Sequence, residues 1–311
     1  MVFILPFFVL IFIAALYLIS NIYFALLFWN YAYERAHKWQ KDIPITHIKE
    51  EGQLLQGKTA LVTGGSGGIG FAIAKKFIDC GCNVVIAGTN AAKLSQKCEL
   101  LGDNCKPIVI NVSDVPSFEE RINQASKFFG SIDILVCSHG IHTKRDNFDF
   151  LTVTKEEYDS VMNVNLKGTY FLCQSMAKYM IPRKINGHIL IISSQSALEP
   201  SWSPYRLSKR GIEGIIEGMA QRLIEHQIVV NGLGPGPTAT TMQDDLIDGS
   251  IYTADNPIGR YTMPEEVAEF AKMLVSDLGN TIIGQTLYMS GGRGIIDKRW
   301  SSRKMIKIKL K

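Results

Sequence analysis

No two cysteines in this chain are spaced Cys-x-x-Cys, and no His/Cys cluster has zinc-ligand spacing, although Cys80, Cys82, Cys98, Cys105, Cys137 and Cys173 are present. That argues against a metal site. In 311 residues, six scattered thiols read as reduced, mostly buried side chains of a cytosolic compartment rather than as a disulfide framework. Repeats of solenoid length and low-complexity linkers are also missing, which excludes repeat arrays. With 46% hydrophobic and 20% charged residues, what remains is one large folded domain, alone or with an appendage. Charge is lacking at one end, since no charged residue precedes Glu34.

The opposite holds at the other end. Lys298 to Lys311 ("KRWSSRKMIKIKLK") holds seven Lys/Arg and no acid. Taking those seven from 33 leaves 26 basic against 29 acidic residues, so the overall +4 hides a body of net charge −3. A basic tail without a stacking platform does not suggest nucleic-acid binding. It reads equally as a solvated tail or as a strip facing anionic lipid headgroups.

Residues 1–29 are apolar almost throughout, apart from Ser20 and Asn21. Such a run is long enough to cross a bilayer, which takes about 20 residues. A cleaved signal peptide would want a basic start and a small-residue cleavage site, and neither is there. The expectation is therefore a single transmembrane anchor over 1–33, with membrane lipid as a partner. Arg35, Lys38 and Lys41 follow it, which predicts a cytoplasmic catalytic body. Residues 34–55 then form a juxtamembrane connector, 56–294 the folded domain and 295–311 the tail.

Within the body, "TALVT", "NVVIAGTN", "CKPIVINVSD", "IDILVCSHG", "GHILIISS", "IVVNGLGPG" and "GQTLYMSGG" are short apolar runs ending in turn residues, with helical stretches between most of them. Strand–helix alternation of this kind predicts an α/β fold with a doubly wound parallel sheet, Rossmann-like, covered by helices on both faces. Gly64, Gly68 and Gly70 follow the first strand and open a helix. Glycines there allow a tight turn and close approach to a pyrophosphate at a helix N-terminus, and the strand–turn–helix context is what that motif requires.

At these residues the chain resembles the short-chain dehydrogenase/reductase family, with 3-oxoacyl thioester reductases as the nearest flavour. The resemblance runs from about Gln56 to Gly294 and rests on several motifs in order: "TGGSGGIG", "MNVNLKG", "ISS" before "YRLSK", "VVNGLGPGPTATTM", "PIGR" and "MPEEVAEF". It implies Tyr205 as general acid or base, with Lys209 four residues on to lower its pKa and bind the nicotinamide ribose. Free tyrosine titrates near pH ~10, and a neighbouring ammonium favours the phenolate. Ser194 matches the serine that binds the substrate carbonyl. Asn165 matches the asparagine that holds a water linking the lysine to solvent. The Ser194–Tyr205 interval is shorter than the family's usual one, so Ser193 and Ser196 stay open as alternatives. The family's Asn-Asn-Ala-Gly turn reads "CSHG" here; Gly140 is kept, and His139 falls beside the ribose as a packed turn residue or a catalytic group.

For the cofactor, the resemblance assigns Thr63, Gly64, Ser66, Gly68, Ile69 and Gly70 to the phosphate turn, with Asn111 and Val112 near the adenine. Gly140, Tyr205 and Lys209 fall at the ribose, and Pro235, Gly236, Thr238 and Thr240 at the nicotinamide and phosphates. After the second strand, NAD-specific members carry an acid that binds the ribose 2′-OH. Here Gly88 stands in that place, and Thr89, Asn90 and Lys93 are positioned to take a 2′-phosphate. NADP(H) is favoured, with NAD(H) the second candidate.

The substrate is less legible. Gln243 to Pro257 reads as a lid, Trp202 and Tyr261 as pocket walls, and Lys144 and Arg145 as solvated surface or an anion lure. Arg206 and Arg210, on the catalytic helix, fall where family members pair into homo-oligomers. The reading is ketone reduction on a lipid-like or lipid-linked substrate, of 3-oxoacyl or 3-oxo-sphingoid type. A keto-sugar of glycan assembly is the first alternative, and a non-catalytic NADP-binding scaffold the alternative of another class.

Overall fold

The computed structural model describes residues 17–32, 51–142, 150–240, 251, 253 and 256–293. The chain divides into two compact units, Met1–Thr46 and His47–Lys311. The first contributes helix α1, residues 17–32. Its 16 residues span roughly 24 Å, short of a hydrocarbon core of about 30 Å. Ser20 and Asn21 both lie within it, and Asn21 Nδ2 donates to the Tyr17 carbonyl at 2.9 Å. Among the described residues no helix is long and apolar enough to cross a membrane. The single-pass membrane localisation with a cytoplasmic body, expected from the apolar run, is thereby overturned. The run meets the length requirement only if residues 1–16, which lie outside the described residues, are counted. The basic tail, Lys144, Arg145 and most of the connector and lid also lie outside them.

The second unit holds a parallel sheet of seven strands in the order β3-β2-β1-β4-β5-β6-β7. The strands are β1 Thr59–Thr63, β2 Asn83–Gly88, β3 Cys105–Val109, β4 Ile134–Cys137, β5 His188–Ile192, β6 Val229–Pro235 and β7 Thr286–Met289. Each coincides with one of the seven apolar runs. In β1 and β5 every residue is buried, as a sheet covered on both faces requires.

Side chains alternate along a strand, so neighbours serve opposite layers. Ala60 and Val62 pack with Ile73 and Phe77 of α2 (Gly68–Asp79), Leu94 of α3 (Ala91–Leu101) and Val267 and Leu274 of α8 (Pro264–Val275). Leu61 packs the other way, with Ile122 of α4 (Phe118–Ser126), Leu172 and Met176 of α6 (Thr169–Met180) and Ile212 and Ile216 of α7 (Pro204–Leu223). Between α5 (Lys155–Val161) and α6 the chain widens into an underwound π turn, Met162–Gly168, a distortion common at functional sites. All six cysteines are free and buried.

The strand order reverses between β1 and β4, which pair with Thr63 opposite Cys137. In an open parallel sheet that switch point opens a crevice beyond the strands' C-terminal ends, and ligands bind there.

His188, at the start of β5, is buried and faces Asn280 Oδ1 at 3.1 Å. Burial, helped by Lys58, pushes its pKa down to about 4, against the Asn280 hydrogen bond and Asp277. The native state holds it neutral while the unfolded chain protonates it near pH ~6.5. Its share of stability is thus full above that pH and lost as the pH falls toward the folded value, by about 2–3 kcal/mol. We predict that His188→Gln narrows the gap between urea stabilities at neutral and acid pH by about that amount; an unchanged gap contradicts this.

Candidate active site

The crevice is built from the ends of β1, β4, β5 and β6 and the first turn of α7. Gly64 turns the chain out of β1 with φ +66°, and a Cβ there would meet the Ser138 carbonyl oxygen at 2.6 Å. A Cβ on Gly70 would drive into the Gly64 carbonyl, and one on Gly68 would meet Thr240 Cγ2 at 2.5 Å. These glycines therefore leave a backbone-walled cradle over the N-terminus of α2, whose N-cap Gly67 supplies no side-chain cap. At the end of β2, Gly88 has Ser66 Oγ 3.7 Å from where a Cβ would stand, so the position has room.

Asn90 caps α3, its Oδ1 accepting from Lys93 N at 2.9 Å. Its carbonyl oxygen thus serves the helix cap, and Thr89 and Lys93 are exposed beside it. Asn111 Oδ1 accepts from Ser113 N at 3.0 Å in a local turn, with Val112 buried next to it.

A cleft is lined by Ile69, Ser138, His139 and Gly140 on one side and by Ile192, Ser194, Tyr205 and Lys209 on the other, with Pro235, Gly236, Thr238 and Thr240 across it. Ser203 starts α7 by accepting from Arg206 N at 3.3 Å, and Pro204 occupies its first turn. One turn of that helix sets Tyr205 and Lys209 on one face. Lys209 is 5% exposed, and its Nζ donates to the Ile192 carbonyl at 2.9 Å. Burial lowers its pKa to about 8, with Glu213 and Cys137 pulling the other way. Tyr205 behaves differently from the expectation of a depressed phenol. Burial raises its pKa, and a hydrogen bond with Ser194 offsets this only in part. The lysine ammonium stands 5.8 Å from the phenol ring centre and is aimed at a carbonyl, so desolvation prevails.

The serine alternatives separate. Ser194 lines the cleft with Tyr205 and accepts from Ser196 N at 3.1 Å. Ser193 Oγ donates to the Glu213 carboxylate, and Ser196 Oγ accepts from Gln195 Nε2 at 3.4 Å. Asn165 sits in the π turn, 1% exposed. Its Oδ1 accepts from Ile141 N at 2.8 Å, and its Nδ2 donates to Ile141 O at 2.9 Å and to Ser208 Oγ at 3.2 Å. A Cβ at Gly140 would lie 3.5 Å from Asn165 Oδ1 and 3.8 Å from Lys209 Nζ, so the bare glycine keeps that corner open. Thr238 is buried, its hydroxyl turned back to Gly236 O at 2.9 Å.

Arg206 and Arg210 both hold the loop that precedes their own helix. Arg206 pairs with Glu199 at 2.6 Å and lies over the Trp202 ring, and Arg210 donates to Ala197 O at 2.9 Å. Both brace the segment after Ser194. Tyr261 is buried and is absent from the cleft lining.

Three residues were not singled out from the sequence. Ser138 Oγ is buried, with no hydrogen-bond partner among the described residues, and its residue lines the cleft. His142, exposed, sets its ring edge against Tyr205 at 4.6 Å between centroids. Glu213 joins Ser193 to Tyr288, whose pKa it helps burial to raise. The nearness of Ser138 and His142 to "CSHG" was a local signal for them. Glu213 had none, because its partners come from β5 and β7.

A nicotinamide dinucleotide fits this cradle: glycine-walled phosphate turn, orphan hydroxyl and open Gly140 corner. The family model described as "Enoyl-(Acyl carrier protein) reductase" matches residues 64–293, well over half of the chain.

The chain belongs to the short-chain dehydrogenase/reductase family.

It is 35% identical over 244 residues to 3-oxoacyl-[acyl-carrier-protein] reductase FabG of Rickettsia conorii, covering 76% of this chain and 97% of that protein. It is 32% identical to gluconate 5-dehydrogenase of Gluconobacter oxydans, covering 76% and 95%. Among solved structures, the 3-ketoacyl-(acyl-carrier-protein) reductase of Brucella melitensis complexed with NADH superposes with a TM-score of 0.70 at 28% identity, over 78% of this chain and all of that one. As a short-chain dehydrogenase/reductase the protein is an oxidoreductase of CH–OH and C=O groups using NAD(P)(H). With 97% of the Rickettsia reductase matched, almost none of that relative is left to correspond to the apolar run.

Proposed function

We propose that the protein reduces the 3-oxo group of an acyl thioester to a secondary alcohol with NADPH. The observation that carries this is the grouping of Ser194, Tyr205 and buried Lys209 in one cleft facing the glycine cradle, in a chain similar to two 3-oxoacyl carrier-protein reductases. The cofactor, when bound, supplies the hydride. Thr63 to Gly70 would hold its phosphates, Thr89 and Lys93 the 2′-phosphate, Ser138 and Lys209 the ribose, and Thr238 and Thr240 the nicotinamide end. Ser194 orients the substrate carbonyl and Tyr205 delivers the proton to its oxygen. Lys209 and Asn165 form the route by which that proton is replaced. Polar sugar acids are the second reading, favoured by the identity to gluconate 5-dehydrogenase.

The pH profile of 3-oxoacyl thioester reduction tests the roles. Tyr205, with its raised pKa, stays protonated and able to donate through neutral pH. Lys209 loses its charge as the pH passes about 8. The reductive kcat is therefore flat below about pH 7 and falls above about 8, while alcohol oxidation, which needs the phenolate, rises with pH. A reductive rate that is level up to about pH 10 contradicts the lysine's part.

Pairing is proposed through the outer faces of α6 and α7. Leu166, Tyr170, Phe171, Ile215 and Met219 line a groove there of about 770 Å³, and Cβ atoms at Gly214 and Gly218 would point into open space. Small residues one turn apart let a second helix approach closely. Ile215→Glu is predicted to halve the mass measured by sedimentation equilibrium; an unchanged mass removes this face from the interface.

A further inference from the structure

His139 stands between two threonines that belong to opposite halves of the site. Its Nδ1 is 2.7 Å from Thr63 Oγ1, at the end of β1, and its Nε2 is 3.0 Å from Thr169 Oγ1, at the start of α6. Each hydroxyl also lies near a carbonyl: Thr63 Oγ1 is 3.2 Å from Val136 O, and Thr169 Oγ1 is 2.8 Å from Asn165 O.

A hydroxyl has one proton to give, and a neutral imidazole one donor and one acceptor nitrogen. If both hydroxyls donated to their carbonyls, the ring would have to donate from both nitrogens and carry a charge. Burial first, and the Lys209 ammonium second, push the imidazole pKa down to about 3, against a backbone hydrogen bond to Val164. One hydroxyl must therefore turn to the ring, and the distances select Thr63, closer to the ring than to its carbonyl. Thr169 is closer to its own.

We infer that His139 is a positioning residue. As a neutral Nε2–H imidazole it carries a one-way chain in which the Thr63 hydroxyl donates to Nδ1, Nε2–H donates to the Thr169 hydroxyl, and that hydroxyl donates to the Asn165 carbonyl. The chain ties the cofactor turn to the π turn. Asn165 is gripped at its carboxamide by the Ile141 backbone and by Ser208 Oγ and at its carbonyl by Thr169, so all its holds but that of Ser208 trace back to segment 139–141. Without the imidazole, Thr63 and Thr169 lose their common partner and the carbonyl hold on Asn165 slackens. The kinetic consequence rests on the proposed role of Asn165 in reduction; the tautomer does not.

The test uses the full chain with 15N-labelled histidine and long-range 1H–15N correlation. The His139 signals are identified by their loss in His139→Gln. The expected pattern is one protonated Nε2 and one bare Nδ1, unchanged from about pH 8 to about pH 5.5. An Nδ1–H tautomer, or an imidazolium in that range, overturns the inference. In steady state, His139→Ala and Thr169→Val are each expected to lower kcat about tenfold, the scale of a small misplacement, with NADPH affinity changed less than about twofold. His139→Gln, whose amide N–H can reach toward Thr169, recovers part of the loss. Wild-type kcat in both Ala and Val variants also overturns it. If His139→Ala does not fold, Thr169→Val and the wild-type spectrum decide. If the unmodified chain reduces no ketone, the reductase reading fails while the tautomer still decides the hydrogen-bond chain.

Discussion

Tyr205→Phe is expected to lower kcat for ketone reduction by about 10²–10⁴-fold, the range for removing a positioned proton donor, while NADPH binding stays within about threefold of wild type. The asymmetry follows from the site. The substitution removes one oxygen, in the cleft that Ser194 also lines, from a ring that otherwise keeps its edge contact with His142. The cradle of Gly64, Gly68 and Gly70 and the Lys209 bond to Ile192 O are untouched. Lys209→Met should hurt both quantities, because it takes away a charge and a ribose partner together. Stopped-flow kinetics with a parallel fluorescence titration separates the two. A Tyr205→Phe protein retaining more than a tenth of wild-type kcat would remove the phenol from the chemistry.

Gly88→Asp should reverse the cofactor preference. The position has room for a side chain and no positive φ to strain, so the change acts through charge. A carboxylate about 4 Å from a phosphate charge costs about 4 kcal/mol at an effective dielectric of 20. Solvent screening and rotation of the aspartate away cut this to about 2 kcal/mol, or about 30-fold weaker NADPH binding. NADH has no phosphate there and gains an acceptor for its 2′-OH, so its affinity should hold or rise. Equal losses for both dinucleotides would mean that the 2′-phosphate does not lie beside Gly88.

The sheet was legible because its strands are short apolar runs closed by turn residues, and the inner strands, buried on both faces, admit little else. The glycine turn was legible because backbone approach admits only glycine. Other parts depend on pairings between distant segments. Spacing alone left three serines open at the carbonyl position, and what separates them is Glu213, which takes Ser193 from another element. The depressed tyrosine pKa was implied by the family resemblance; in the fold the ammonium donates to the Ile192 carbonyl and burial raises the phenol's pKa. The apolar first segment misled differently: a length rule applied to sequence takes the helix for granted, whereas the described helix is shorter than a bilayer core. His139 looked like a turn residue because neither threonine that binds it is near in sequence.

The central claim is that this cleft reduces a 3-oxoacyl thioester. The most direct measurement incubates the full chain with NADPH and a 3-oxoacyl thioester, with a 5-keto sugar acid in parallel, and identifies products by mass spectrometry. The account predicts conversion of the thioester to its 3-hydroxy form, dependent on NADPH and abolished by Tyr205→Phe. Turnover of the sugar acid alone, or of neither compound while NADPH binds, would contradict it.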